Sequence, residues 1–338
     1  LNSLKKRLGL LSALGSDLKG KKIQLASAAL KTYKENLWFT ADNIERMLIA
    51  ISEDMLDHKK LENWVSAYQI PDRQSKTTIG LIMAGNIPLV GMHDLITAFI
   101  AGHQVKIKLS SKDEQLLPVF LKHMENIAGG DIGIEVVEKL VDPDAVIATG
   151  SDNSARYFEH YFRDIPLLLR KNRNSVAVMT GYETDKELHR LTDDILAYFG
   201  LGCRNVSKLY VPEKYDLGNI YRAIPQASKV IDHDKYRNNY DYNYAIWMMN
   251  NDKFLTNGFL LLKEEPSLLS RIASLNYEYY KDEEHLLSLL NPLKDKIQCV
   301  VSSEEIAGFP HVAFGDSQRP ALDDYADGVD TMEFLLSL

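Results

Sequence analysis

Apolar residues recur every three to four positions through most of the first third of the chain, and beyond it short apolar runs alternate with helically spaced segments. From Thr40, whose hydroxyl suits a helix N-cap, ADNIERMLIAISEDMLDHKKLENWVSAY keeps the helical spacing to a last stripe of Leu61, Trp64, Val65 and Tyr68. One long helix is predicted, terminated by Pro71. After the polar DRQSK the period changes. TTIGLIMAG is a short apolar strand, GMHDLITAFIAG a helix closed by Gly102, and VKIKL a second strand. Together they predict a β-α-β unit, the building block of a parallel sheet covered by helices.

The alternation continues with a helix at EQLLPVFLKHMENIAGG despite Pro118, strands at IGIEVV and AVIATG, and a helix at SARYFEHYFRD. Strands at PLLLR and SVAVMTG, a helix at KELHRLTDDILAYFG and a strand at VSKLYVP follow. The fold class is therefore α/β. Residues 213–308 are mixed: PSLLSRIASLNYEYY is predicted helical, KIQCVVS a strand, and Tyr236, Tyr240 and Tyr244 fall on one helical face. The pattern suggests an N-terminal helical and nucleotide-binding domain over 1–174, a second α/β domain over 175–308, and a C-terminal segment, 309–338, returning toward the first.

Composition narrows the functional classes. With 338 residues, 45% of them hydrophobic and 25% charged, the chain is an ordinary globular sequence long enough for two domains. A net charge of −8 disfavours nucleic acid as a partner, because phosphate binding draws on clustered Lys and Arg. The leucines of LNSLKKRLGLLSALGSDLKG form too short and interrupted a stretch for a signal peptide or a membrane span. Cys203 and Cys299 stand apart, without CxxC or Cys/His clustering, so neither a disulfide framework nor a zinc site is expected, and a cytoplasmic location is. The nine histidines show no HExxH spacing, and no catalytic metal is expected.

Three segments fall where an open parallel sheet binds its ligands, beyond the carboxyl ends of strands: AGNIP, KLSS and ATGS. Gly85 and Gly150 allow close backbone approach there, although the GxGxxG fingerprint is absent. In GLGCRNVSKLYVP, Cys203 lies between a glycine turn and a strand, and its thiol reads either as core filler or as a nucleophile. Asn86 reads equally as a turn residue before Pro88, Lys108 as a solvent-facing strand lysine, and His93 as a cap or packing residue.

Taken in order, GNIPL, VKIKLSS, ATGS and GLGC followed by a strand resemble the aldehyde dehydrogenase superfamily. Within it the chain looks like the LuxC family of fatty acyl-CoA reductases, a likeness carried also by the ending FGDSQRPALDDYADGVDTMEFL. The resemblance implies a Rossmann-like nucleotide-binding domain plus an α/β catalytic domain carrying the nucleophile, Cys203. It implies that Asn86 donates to an oxyanion, that Lys108 contacts the adenosine ribose, and that Gly150 and Ser151 form the turn under the cofactor phosphates. Family members that hydrolyse their acyl-enzyme carry a water-activating Glu, and Leu169 stands at its place. Ser111 replaces the Glu with which NAD-preferring members bind the ribose 2′-hydroxyl, so NADPH is expected in preference to NADH. The partners implied are an acyl-CoA substrate, an acyl-activating or acyl-transferring protein, and further copies of the chain. A CoA-acylating aldehyde dehydrogenase, an acyltransferase or thioesterase, and a non-catalytic acyl-binding protein remain open readings of the same residues.

Overall fold

A computed structural model describes residues 3–338 apart from Lys22, Gln24, Arg73, Gln74 and Ile224. The chain divides into two compact units, Leu1–Asn172 with Arg319–Leu338, and Arg173–Gln318.

The first unit begins with helices α1 (Leu4–Lys19), α2 (Ala26–Glu35), α3 (Ala41–Ala50) and α4 (His58–Val65). Thr40 caps α3, accepting from the Asn43 N–H, but the long helix expected from Thr40 to Tyr68 is broken. A π-turn at Ile51–Met55 ends its first half, and Asp57 restarts it by accepting from the Lys59 and Lys60 N–H groups. Leu56, at the break, presses so closely on α1 that a Cβ on Gly15 would lie 2.7 Å from its own Cβ. Packing and a strong N-cap thus override a continuous helical pattern.

The strands β1 (Thr78–Ile82), β2 (Gln104–Lys108), β3 (Ile134–Val136), β4 (Ala145–Thr149) and β5 (Leu167–Arg170) form a sheet of order β3-β2-β1-β4-β5, parallel throughout. Helices α5 (Met92–Ala101), α6 (Leu116–Ala128) and α7 (Asp152–Tyr161) make the crossovers. Gly102 ends α5 at φ 91°, a left-handed conformation natural for glycine. The order reverses direction between β1 and β4, the switch point at which parallel sheets bind ligands.

The second unit holds β6 (Asn174–Val178), α8 (Asp185–Leu196), β7 (Val206–Pro212), α9 (Gly218–Ala223), α10 (Asp234–Met249), β8 (Leu255–Thr256), β9 (Leu261–Glu264), β10 (Ser274–Tyr280), α11 (Glu283–Leu290), β11 (Ile297–Val301) and β12 (His311–Val312). Its sheet runs β12-β11-β6-β7-β10-β9-β8, parallel except for the β8–β9 pair. Alternate residues of the central strands fill two cores. Ala177, Leu209, Val211 and Leu275 pack with Leu188, Leu191 and Ile195 of α8, whereas Val176, Val178 and Tyr210 pack with Leu286 and Leu290 of α11.

The expected helix at PSLLSRIASLNYEYY is instead a loop followed by β10, seated between β7 and β9. Its leucines mimic a helical stripe, but Ala273 takes φ 62° and the alternating tyrosines beyond it suit a strand. On α10, Tyr236 and Tyr240 are buried as expected while Tyr244 is exposed. The last helix, α12 (Thr331–Leu336), packs on α5 of the first unit.

Candidate active site

The first unit gathers three of the sequence-predicted segments at one edge of its sheet. The Met83 N–H donates to Lys108 O at 3.1 Å as β1 ends, and the loop that follows turns against the loop after β2. A Cβ on Gly85 would lie 2.5 Å from Ser110 Oγ and 2.9 Å from Lys112 Cβ, so only glycine lets the two loops meet. Half-buried Asn86 comes next. Three residues on, Leu89 is held at φ 53°, a left-handed conformation that costs a non-glycine residue about 1–2 kcal/mol. Its N–H donates to Asp113 Oδ2 at 2.7 Å. Asn86 is thereby suspended between two fixed points of the β2 loop.

Lys108, half-buried, closes β2, while Ser111 and Lys112 are exposed in the turn made by the Asp113 N–H to Ser110 O bond. Across β1, Gly150 follows β4, and a Cβ there would come within 2.8 Å of Ser154 Cβ. Ser151 caps α7, accepting from the Ser154 N–H, and brings the first turn of that helix to the carboxyl edge of the sheet. Leu169 lies in β5 opposite Ala148 and packs on the cluster of Leu140, Val146, Ala148 and Phe162. His93 is a packing residue: its Nε2 lies 2.9 Å from Leu322 O and its ring meets Tyr325 edge-on. Beside it Asp94 takes a two-point ion pair from buried Arg170, whose guanidinium also donates to Ala326 O and Thr331 Oγ1 at 2.6 Å.

In the second unit, Cys203 is exposed at the tip of the turn before β7, and Cys299 is buried in β11. The turn is bound from beneath. Tyr198, Phe199 and Gly200 take φ values of 52°, 59° and 76°, a left-handed run that reverses the chain after α8. Buried Asn205 closes it, accepting from the Gly202 N–H at 2.8 Å and donating to Ala197 O at 2.9 Å and Asp194 O at 3.1 Å. Ser175 Oγ donates to Cys203 O at 3.1 Å and lies 3.1 Å from Cys299 Sγ. Exposed Cys203 therefore stands on a turn whose backbone is held by hydrogen bonds on either side of it. Among the described residues no three His, Cys, Asp or Glu side chains gather to hold a metal ion, and no helix is long and apolar enough to cross a membrane.

Sequence reasoning missed Asn205, Ser175 and Asp113. A signal was present for Asn205, a short amide two residues past the cysteine in a turn, but Ser175 and Asp113 act through residues distant in sequence.

No protein-family model matches the chain, and no curated protein matches it in sequence. Solved structures do. Aldehyde dehydrogenase 21 from Physcomitrella patens, in complex with the reaction product succinate, superposes with a TM-score of 0.70 at 12% identity, covering 100% of this chain and 84% of that one. The putative aldehyde dehydrogenase PutA from Anabaena variabilis gives 0.65 at 15% identity over 89% of this chain and 74% of that one. The indole-3-acetaldehyde dehydrogenase AldA of P. syringae, a cysteine-to-alanine mutant holding NAD+ and IAA, gives 0.66 at 12% identity over 89% and 72%. The two α/β units, the first completed by the returning C-terminal segment, thus share the fold of solved aldehyde dehydrogenases.

Proposed function

We propose that the protein is an NADPH-dependent reductase of the LuxC type that converts an acyl-CoA, in particular a fatty acyl-CoA, to the aldehyde through an acyl-enzyme on Cys203. The observation that carries this reading is the exposed Cys203 on its locked turn, in a fold whose solved examples include an aldehyde dehydrogenase bound to NAD+. The Cys203 thiolate attacks the thioester carbonyl and the bond to the coenzyme A sulfur breaks, releasing a thiolate. The resemblance assigns the oxyanion that forms on the way to the Cys203 N–H and the Asn86 amide as donors.

The residues of the first unit fit a nicotinamide nucleotide. Gly150 and Ser151 bring the N–H groups of α7 to the sheet edge for phosphate, and half-buried Lys108 ends β2 at the same edge. When bound, the reduced nicotinamide would supply a hydride to the acyl carbon, and the bond from that carbon to Cys203 Sγ breaks, freeing the aldehyde and returning the Cys203 thiolate. Leu169, which the resemblance aligns with the water-activating Glu, offers no general base, and an acyl-enzyme without one is spared hydrolysis. Exposed Ser111 and Lys112 leave room for a 2′-phosphate, and Asp113 is turned inward to the Leu89 N–H, so that its charge does not oppose one. The same residues would serve a CoA-acylating aldehyde dehydrogenase working in the oxidative direction.

Anaerobic incubation with acyl-CoAs of several chain lengths and NADPH or NADH tests the proposal, following absorbance loss, aldehyde formation and acylation by mass spectrometry. Acyl label on the Cys203 peptide, aldehyde formed faster with NADPH, and no aldehyde from Cys203→Ala are expected. Label on another residue, or reduction surviving in Cys203→Ala, overturns the assignment; binding of acyl-CoA without acylation points to a non-catalytic acyl-binding protein.

A further inference from the structure

We propose that Asp113 is a positioning residue for acyl transfer, a buried carboxylate that fixes the Asn86 loop by holding the Leu89 N–H. The inference rests on the reading of Asn86 as an oxyanion donor. Asp113 is only 6% exposed, and its second oxygen, Oδ1, has no hydrogen-bond partner among the described residues. It lines a cavity of about 10 Å³ walled by Met83 and Leu109 at the strand ends, Leu89 and Val90 of the loop, Met92 of α5 and Leu117 of α6. That space accommodates at most about one water molecule, so the carboxylate is poorly solvated. Burial accordingly pushes its pKa up to about 6, against the opposing effect of the Leu89 N–H.

A carboxylate is a costly way to fill an apolar pocket. What its charge adds is a stronger acceptor for the N–H of a residue held in a left-handed conformation. Gly85 is already wedged against Ser110, so the bond to Leu89 is the second tether of the segment that carries Asn86. Apart from Asp113, none of the side chains lining the cavity is ionisable, and the charged chain neighbours Lys112 and Glu114 are exposed. Protonation of Asp113 weakens the tether, and the rate of acylation should fall as pH drops through about 6.

The test measures acylation of Cys203 by acyl-CoA in the full chain without reductant, as rate against acyl-CoA concentration from pH 5 to 8. It compares Asp113→Asn, Asp113→Ala, Asn86→Ala and the Asn86→Ala/Asp113→Ala pair, each shown by circular dichroism to be folded. Asn86→Ala should lower the maximal rate about 10²-fold. Asp113→Asn should lower it about tenfold with half-saturation unchanged and remove the inflection near pH 6 while leaving the fall in rate that comes from protonating the Cys203 thiolate, because the neutral amide accepts more weakly and does not titrate. The double variant should be no slower than Asn86→Ala alone, as expected of residues acting through one another. If Asn86→Ala is slow while Asp113→Asn keeps the parent's rate and pH profile, or if the losses add in the double variant, the role of Asp113 is refuted and that of Asn86 stands. If Asn86→Ala acylates at the parent's rate, the oxyanion reading falls and this inference falls with it.

Discussion

Replacing Asn205 by alanine should unlock the turn that carries Cys203. Its side chain is 2% exposed; Oδ1 accepts from the Gly202 N–H at 2.8 Å, and Nδ2 faces the carbonyls of Asp194, Ile195 and Ala197 at 3.1, 3.4 and 2.9 Å. Removing it strands one buried N–H, at about 1–3 kcal/mol, and two well-placed carbonyls that each lose a bond worth about 1 kcal/mol. Part of this returns as Tyr198 and Phe199 relax from their left-handed conformations. The net loss should be about 3 kcal/mol, a large share of a typical domain's stability but compatible with folding. Urea denaturation reads the loss directly. Alkylation of Cys203, with buried Cys299 as the slow internal reference, should continue in the variant while acylation by a thioester slows, because only the latter needs a fixed backbone N–H. Asn205→Asp keeps the acceptor for Gly202 but sets a carboxylate against three carbonyl oxygens, and should be at least as unstable. A loss below about 0.5 kcal/mol in Asn205→Ala, with thioester acylation unchanged, would show that the turn is held by something else and refute the reasoning.

Two further outcomes follow from the same chemistry. Asp194 is fully buried, accepts from the Gly315 and Ser317 N–H groups, and is pushed by burial up to about 6; because the unfolded chain releases this proton first, near pH 4, stability should fall as pH rises from about 4 to 6 by about 3 kcal/mol and then level off. Asp194→Asn should lose that dependence while being less stable overall, and equal pH slopes for parent and variant in chemical denaturation would contradict the assignment. Leu169→Glu, once shown to be folded and acylated, should hydrolyse the Cys203 acyl-enzyme about 10²-fold faster or more and raise free acid at the expense of aldehyde; acid release no faster than the parent's would remove Leu169 from the general-base position.

Much of this architecture was legible in the pattern of apolar residues, and the exceptions have physical causes. The β-α-β units were readable because strand and helix impose different periods, and Gly102 marks a helix end as glycine commonly does. The sequence 266–280 was misread because Leu268, Leu269, Ile272 and Leu275 imitate a helical stripe, while the pairing with β7 and β9 that makes a strand of its second half is non-local. The segment after Thr40 was misread because Leu56 must pass over Gly15, a contact between residues far apart in sequence. At the candidate site, short motifs pointed to Cys203 and Asn86. The groups beneath them were invisible, since nothing near Ser175 or Asp113 announces that it will bond the Cys203 carbonyl or the Leu89 amide.

The return of Arg319–Leu338 to the first unit sets an order of events during synthesis. Arg170 leaves the ribosome with Asp94 already made, but its acceptors on Ala326 and Thr331 are added only after the whole of Arg173–Gln318. The same delay meets Trp64 and Tyr68, which bond Tyr325, and His103, which waits for Leu335 O. The second unit is continuous in sequence and can close on itself as it emerges, whereas the first holds a buried guanidinium and a buried imidazole short of partners until Arg319–Leu338 arrives. The unit made first is thus the one finished last, and a nascent chain stopped at Gln318 should expose the face of α5 that α12 will cover.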